Sequence, residues 1–225
     1  MPDRKGKPMS YSFHRSPLVN QIQQVVIRTA DVTLRTSGEV PIPQIHMFAE
    51  DMDQPYLGYI HTRPFNRGDD AAEAIAGLGT LPAALAATRV LVVWENRDVH
   101  TALQLPGSMP PLAVVAAEAG QFQHMVYWHP FSIKEIRPPS QDGLRGIVPE
   151  WTGTREHFNA GLPDPVTRAL SEWRKSHGRQ GSTDHLKTTV ARLERSGYSI
   201  NWIEPLPFRH YTSTNSIQQA VLKRT

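Results

Sequence analysis

The chain has 225 residues, a net charge of +3, a hydrophobic fraction of 39% and a mean hydropathy of -0.41. That length is enough to bury a full core, and the longest apolar runs fall far short of the roughly 20 residues a membrane span needs. With no cysteine, disulfide frameworks, thiolate chemistry and cysteine-based zinc sites are excluded.

No apolar stretch follows the basic N-terminal residues, so no secretory signal is read and a cytoplasmic protein without membrane contact is expected. Arginine (18) outnumbers lysine (6), a bias that points to a high-GC bacterial or phage genome. Charge is unevenly spread: residues 16–163 carry 10 bases against 15 acids, whereas residues 164–203 carry seven bases against four acids. An acidic body with basic ends is a pattern that attracts polyanions, although a modest excess is most often a solvated surface.

In chain order, residues 1–17 are basic and rich in proline and read as a flexible arm. Residues 18–136 read as a mixed α/β core domain. Within it, residues 19–37 ("VNQIQQVVIRTADVTLRTS") mix β-branched and polar residues and predict one bent strand or two short ones. "PQIHMFAEDMDQPYLGYIHTRPF" predicts a hairpin. A loop at 52–55 would place His46 opposite His61 and put Ile45, Met47, Ala49 and Ile60 on the core face. "RGDDAAEAIAGLG" predicts a helix capped by Asp69 or Asp70 and stopped at Gly77 or Gly79, with a second short helical piece after it.

The non-alternating run at 89–94 predicts a central strand, followed by a helix from about residue 97. "LAVVAAEAGQFQHMVYWHPFSI" predicts a last hairpin turned at Ala119 and Gly120. The order is β-β-β-α-α-β-α-β-β. The expected class is α/β with α+β character: a mixed sheet with helices packed on it and a small C-terminal helical subdomain.

Residues 137–163 read as a long connector, with Trp151 and Phe158 favouring a packed strap over a free linker. Residues 164–204 read as a basic two-helix subdomain ending in an edge strand. Val166, Leu170 and Trp173 form one apolar stripe, and Leu186, Val190 and Leu193 form another. Residues 205–225 read as a polar tail with a short helix near 217–222.

The chemistry-bearing candidates are few. At "WENRD", Glu95 stands at the end of a strand, where open sheets gather ligands, so Glu95 with Asp98 could hold a metal or act as a base in a hydrolase or nuclease. The simpler reading makes Asn96 the cap of the next helix, with Asp98 in its first turn, and is favoured because capped helix starts are so much commoner. His46 and His61 could share a metal, but no further ligand at recognisable spacing accompanies them. Arg63 and Arg67 precede a helix N-terminus, a common anion-binding position, although Asp69 and Asp70 already occupy it. His124 and His129 fall on opposite faces of one strand.

No phosphate loop, nucleophile elbow or H-E-x-x-H pair occurs, and no cofactor or metal is implied. Arg168, Arg174, Lys175, Arg179, Lys187, Arg192 and Arg195 are the candidates for contact with nucleic acid. "LERSGYSINWIE" resembles the helix-then-wing ending of a winged helix. The expected function is thus a non-enzymatic binding or regulatory protein with a nucleic-acid or acidic protein partner. The alternative is a metal-dependent hydrolase or nuclease.

Overall fold

A computed structural model describes residues 13–176 and 182–203. The expectations for the tail, for the helix near 217–222 and for Arg179 lie outside the described residues. The elements are α1 (Pro17–Ser37), β1 (Gln44–Phe48), β2 (Tyr56–His61), α2 (Asp69–Gly77), α3 (Thr80–Ala84), β3 (Arg89–Glu95), α4 (Asn96–Ala102), β4 (Ala113–Ala119), β5 (His124–Ile136), β6 (Ile147–Trp151), β7 (Arg155–Phe158), α5 (Asp164–Ser176), α6 (Thr183–Arg195) and β8 (Ser199–Trp202). Helices pack on a sheet, as expected. The sheet is antiparallel throughout and runs β6-β5-β4-β3-β1-β2-β8, with β7 also paired to β5.

The sheet is apolar on both faces because β3 and β4, its central strands, are buried at every position. Alternation sorts their side chains. Val90, Val92, Trp94, Val115 and Ala117 lie with Val166, Leu170, Trp173, Leu186 and Leu193 in one cluster. Leu91, Val93, Val114 and Ala116 lie with Val19, Val26, Ala30 and Leu34 in the other. The stripes read for α5 and α6 thus dock on the sheet, and the Trp173 indole donates to the Ala87 carbonyl at 2.8 Å. A Cβ on Gly79 would fall 2.0 Å from the Ala169 carbonyl oxygen, so α3 and α5 approach closely only because that residue is glycine.

Residues 19–37 form helix α1, not the strand their β-branched content predicts. Pro17 starts the helix and Gly38, at φ 75°, ends it by donating to the Leu34 and Thr33 carbonyls. Its buried residues, Val19, Gln23, Val26, Ala30 and Leu34, recur with helical spacing. Tertiary burial of that stripe overrides a weak strand propensity.

Other details also differ from the expectations. In the first hairpin His46 pairs with Tyr59 and Gln44 with His61, a shift of two from the expected register. Such a shift keeps each side chain on its face, so Ile45, Met47, Ala49 and Ile60 are core residues as anticipated. Neither Asp69 nor Asp70 caps α2, because Gly68 holds the cap position. Within residues 137–163, β6 and β7 join the sheet through β5. The strand after α6 is no wing: β8 pairs with β2 and forms an edge of the sheet.

Asn96 is not the cap of α4. Glu95 is, and its carboxylate accepts from Asp98 N at 2.6 Å and from Ala113 N at 3.1 Å. The side chain of Asn96 instead reaches the Pro111 carbonyl. Because Glu95 is only 2% exposed, its removal strands two N–H groups. Glu95→Ala is expected to lower unfolding stability by about 2 kcal/mol or more, and Asn96→Ala by less than about 0.5 kcal/mol. Urea denaturation of the two variants checks this, and equal losses would contradict the assignment.

Candidate functional site

Gln23 is the one polar member of the buried stripe of α1, and it is 5% exposed. Its Nε2 lies 2.8 Å from Nε2 of His129 on β5, and His129 Nδ1 lies 3.0 Å from the Thr154 hydroxyl. Burial pushes His129 down to about 4, so the ring is neutral and one nitrogen donates while the other accepts. When the Gln23 amide donates to Nε2, Nδ1–H donates to Thr154 and the Gln23 Oε1 has no partner. With the amide turned over, every bond in the chain reverses and the NH2 group is left over. One buried polar atom of Gln23 is free in either polarity.

Above this chain lies a cleft of about 630 Å³ between α1 and the β5–β7 side of the sheet. Asn20, Gln23, Gln24 and Ile27 line it from one face of α1, spaced at helical intervals. Tyr127, His129, Thr154 and Glu156 line it from the sheet side, and Arg15 and Ser16 close its end at the start of α1.

A buried carboxylate fixes that end. Glu118, 1% exposed on β4, accepts from Ser16 N at 3.1 Å, from Arg89 Nη1 at 2.8 Å and from the Tyr127 hydroxyl at 3.0 Å. Burial raises its pKa, and these donors pull it back. Arg89 Nη1 also donates to the His14 carbonyl, and its Nε stands 2.9 Å from Glu50, within ion-pair distance but outside hydrogen-bonding geometry. Arg15 lies over the Tyr127 ring and pairs with Glu156.

The residues singled out from sequence lie elsewhere. Glu95 spends both carboxylate oxygens on backbone N–H groups, and burial raises the pKa of Glu95 and of Asp98. His46 Nδ1 meets the Tyr56 hydroxyl at 2.8 Å, while His61 Nε2 meets Gln44 Oε1 at 2.9 Å. The Tyr59 ring packs against both imidazoles, at 5.1 and 5.0 Å. Among the described residues no group of three or more His, Asp or Glu side chains is placed to hold a metal.

Arg63 pairs with Asp70, and the charge of Arg67 acts on Asp98. Of the basic set, Arg168 pairs with Glu73, Lys175 with Glu172, and Arg174 donates to the Gly120 and Gln123 carbonyls of the β4–β5 turn. Arg195 Nε turns back to the Ala191 carbonyl. Lys187 and Arg192 also lie on α6. No helix among the described residues is long and apolar enough to cross a membrane.

The cleft residues escaped the sequence reading because they come from positions 15–28, 127–129 and 154–156, which the pairing of β7 with β5 and the docking of α1 on the sheet unite. The available signal was a glutamine at a buried position of an otherwise apolar helical stripe. No family model, no curated protein and no solved structure matches the chain.

The buried histidines set a pH dependence. Burial, and secondarily the charge of His61, lowers His46 to about 3, against about 6.5 for the unfolded chain. Its contribution to stability is complete above that unfolded value and is lost as pH falls towards the folded one. At pH 5 the loss is on the order of 2 kcal/mol. Glu95, Glu118 and Asp98, all raised, act in the opposite sense, since their contribution declines as pH rises through the carboxylate range. Comparing His46→Gln with the parent isolates the histidine. Urea unfolding should show a drop between pH 7 and pH 5 that is smaller by about 2 kcal/mol in the variant, and equal drops would contradict this.

Proposed function

We propose that this is a binding protein, without catalytic work of its own, that takes a small polar ligand in the cleft between α1 and the sheet. One observation carries the reading: Gln23, 5% exposed, is among the residues that line the cleft and keeps a buried polar atom without a partner, which a ligand reaches once that side chain turns towards it. A buried amide group left unpaired costs on the order of 1–3 kcal/mol, and a helix seated on an apolar layer gains nothing from that loss. A ligand that supplies the missing hydrogen bond removes it.

The surroundings support the reading. Asn20 and Gln24 place two further carboxamides beside Gln23, each offering a donor and an acceptor. The volume falls within the range of sites that enclose small molecules. The basic residues of α5 and α6 favour a macromolecular surface less, because Arg168, Arg174 and Lys175 are engaged within the chain.

A simple carboxamide such as hexanamide tests the reading. Titrated into the protein and followed by NMR, it should shift the Gln23 side-chain amide and the His129 ring signals. Gln23→Leu completes the apolar stripe, so it should keep or raise the melting temperature while abolishing those shifts at His129. A large loss of stability in Gln23→Leu, or unchanged His129 shifts, would mark Gln23 as a structural residue and overturn the proposal.

A further inference from the structure

Strand β5 is 13 residues long, and its two halves are held differently. Residues 124–130 pair with β4, whereas residues 131–136 pair with β6 on the opposite edge. The last contact on the β4 side is Phe131 N, which donates to the Leu112 carbonyl at 3.1 Å. Pro110 and Pro111 come before Leu112 and have no N–H with which to continue a ladder. Among the described residues no strand pairs with the β4-side edge of residues 132–136, and no backbone hydrogen bond reaches it.

A β-bulge decides which groups that edge presents. Ile133 faces Pro149 and Glu135 faces Val148, so Lys134 is the extra residue. Phe131 N points to the β4 side, and alternation turns the N–H and C=O of Ile133 the same way. Arg137 N donates to the Gly146 carbonyl at 2.8 Å on the β6 side. Counting back from it, Glu135 also points to β6 and Ile136 points to the open edge. The open groups therefore belong to Ile133 and Ile136, a step of three residues where a regular strand has two. These two isoleucines are 44% and 63% exposed. Lys134 and Glu135 stand between them, both exposed and in no ion pair among the described residues.

The three-residue step selects the partner. A regular strand presents bonding groups at every second residue and would fall out of register after one pair. A second copy of residues 133–136, run antiparallel about a two-fold axis, has the same step. Ile133 then meets Ile136 of the second copy, Lys134 meets its Glu135, and each pair occurs twice. Every pair is either apolar on apolar or opposite in charge. We propose that this open edge of β5 is where two copies of the chain associate. The contact stands apart from the cleft and does not depend on it. Two short strand segments make a small interface, so the dimer is weak and concentration-dependent.

Sedimentation equilibrium of the full chain, run from roughly 10 μM to 1 mM, should show a reversible monomer–dimer equilibrium. Lys134→Glu sets acid against acid in both charged pairs, and Glu135→Lys sets base against base. Each variant alone should raise the dissociation constant roughly tenfold or more, with the melting temperature unchanged because both side chains are exposed. The double variant restores both pairs and should return the parent value. An equimolar mixture of the two single variants should also associate, as a heterodimer, because each acid then faces a base.

A chain that stays monomeric over the whole range overturns the proposal, and leaves the bulge and Lys134 as devices that keep other strands off the edge. A dimer indifferent to both single variants overturns it too, by placing the contact on another surface.

Discussion

The carboxylate of Glu118 is the constraint on which the placement of α1 depends. A charge this deeply buried is tolerated only when its oxygens are fully used. Here the donors come from three directions: Arg89 on β3, Tyr127 on β5 and the backbone of Ser16 just ahead of α1. Two neighbouring strands and the start of a helix are thereby fixed to one point. The apolar stripe from Val19 to Leu34 sets which face of α1 meets the sheet, but apolar contact is non-directional and leaves a helix free to slide. The hydrogen bond from Ser16 fixes the start of the helix along its axis, and the Gln23–His129 and Trp151–Asp31 hydrogen bonds hold it further on. The cleft, whose end is formed by Arg15, Ser16 and Tyr127, inherits its shape from that contact.

The two faces of the sheet are covered differently. On one, α2, α3, α5 and α6 enclose an apolar layer that includes Trp173 and Leu170. On the other, α1 alone lies over β4 and β6, and polar groups enter its buried layer at Gln23, Glu118 and Arg89. Polar residues in such a layer reduce stability unless every partner is present. Glu118 is satisfied within the protein. Gln23 is not, and neither is the Arg89 Nε, but of the two only Gln23 lines the cleft.

Much of the fold was legible from sequence because burial has a period. The stripes of α5 and α6, the unbroken apolar run of β3 and the alternation in β8 each gave the correct element. Helix α1 was misread because valine, isoleucine and threonine crowd it and polar residues alternate with them. Pro149 in β6 and the glycines at 146 and 153 beside β6 and β7 mimic a connector, and only pairing with β5 makes strands of the segments between them. At Glu95 the capping chemistry was anticipated but placed one residue late. Asparagine is the commoner cap, yet the end of β3 aims the glutamate at the free N–H groups. The cleft itself depends on contacts between distant segments, which no local pattern records.

The most direct test of the account is amide hydrogen exchange in Glu118→Gln, which removes the charge while keeping the side-chain shape. If Glu118 fixes the start of α1, exchange at residues 20–23 should quicken by roughly tenfold or more, the loss expected for one charge-assisted hydrogen bond, while the amides of β3 and β4 stay protected. Unchanged protection across the first turns of α1 would show that the helix is seated without the Glu118 contact, and would contradict the account.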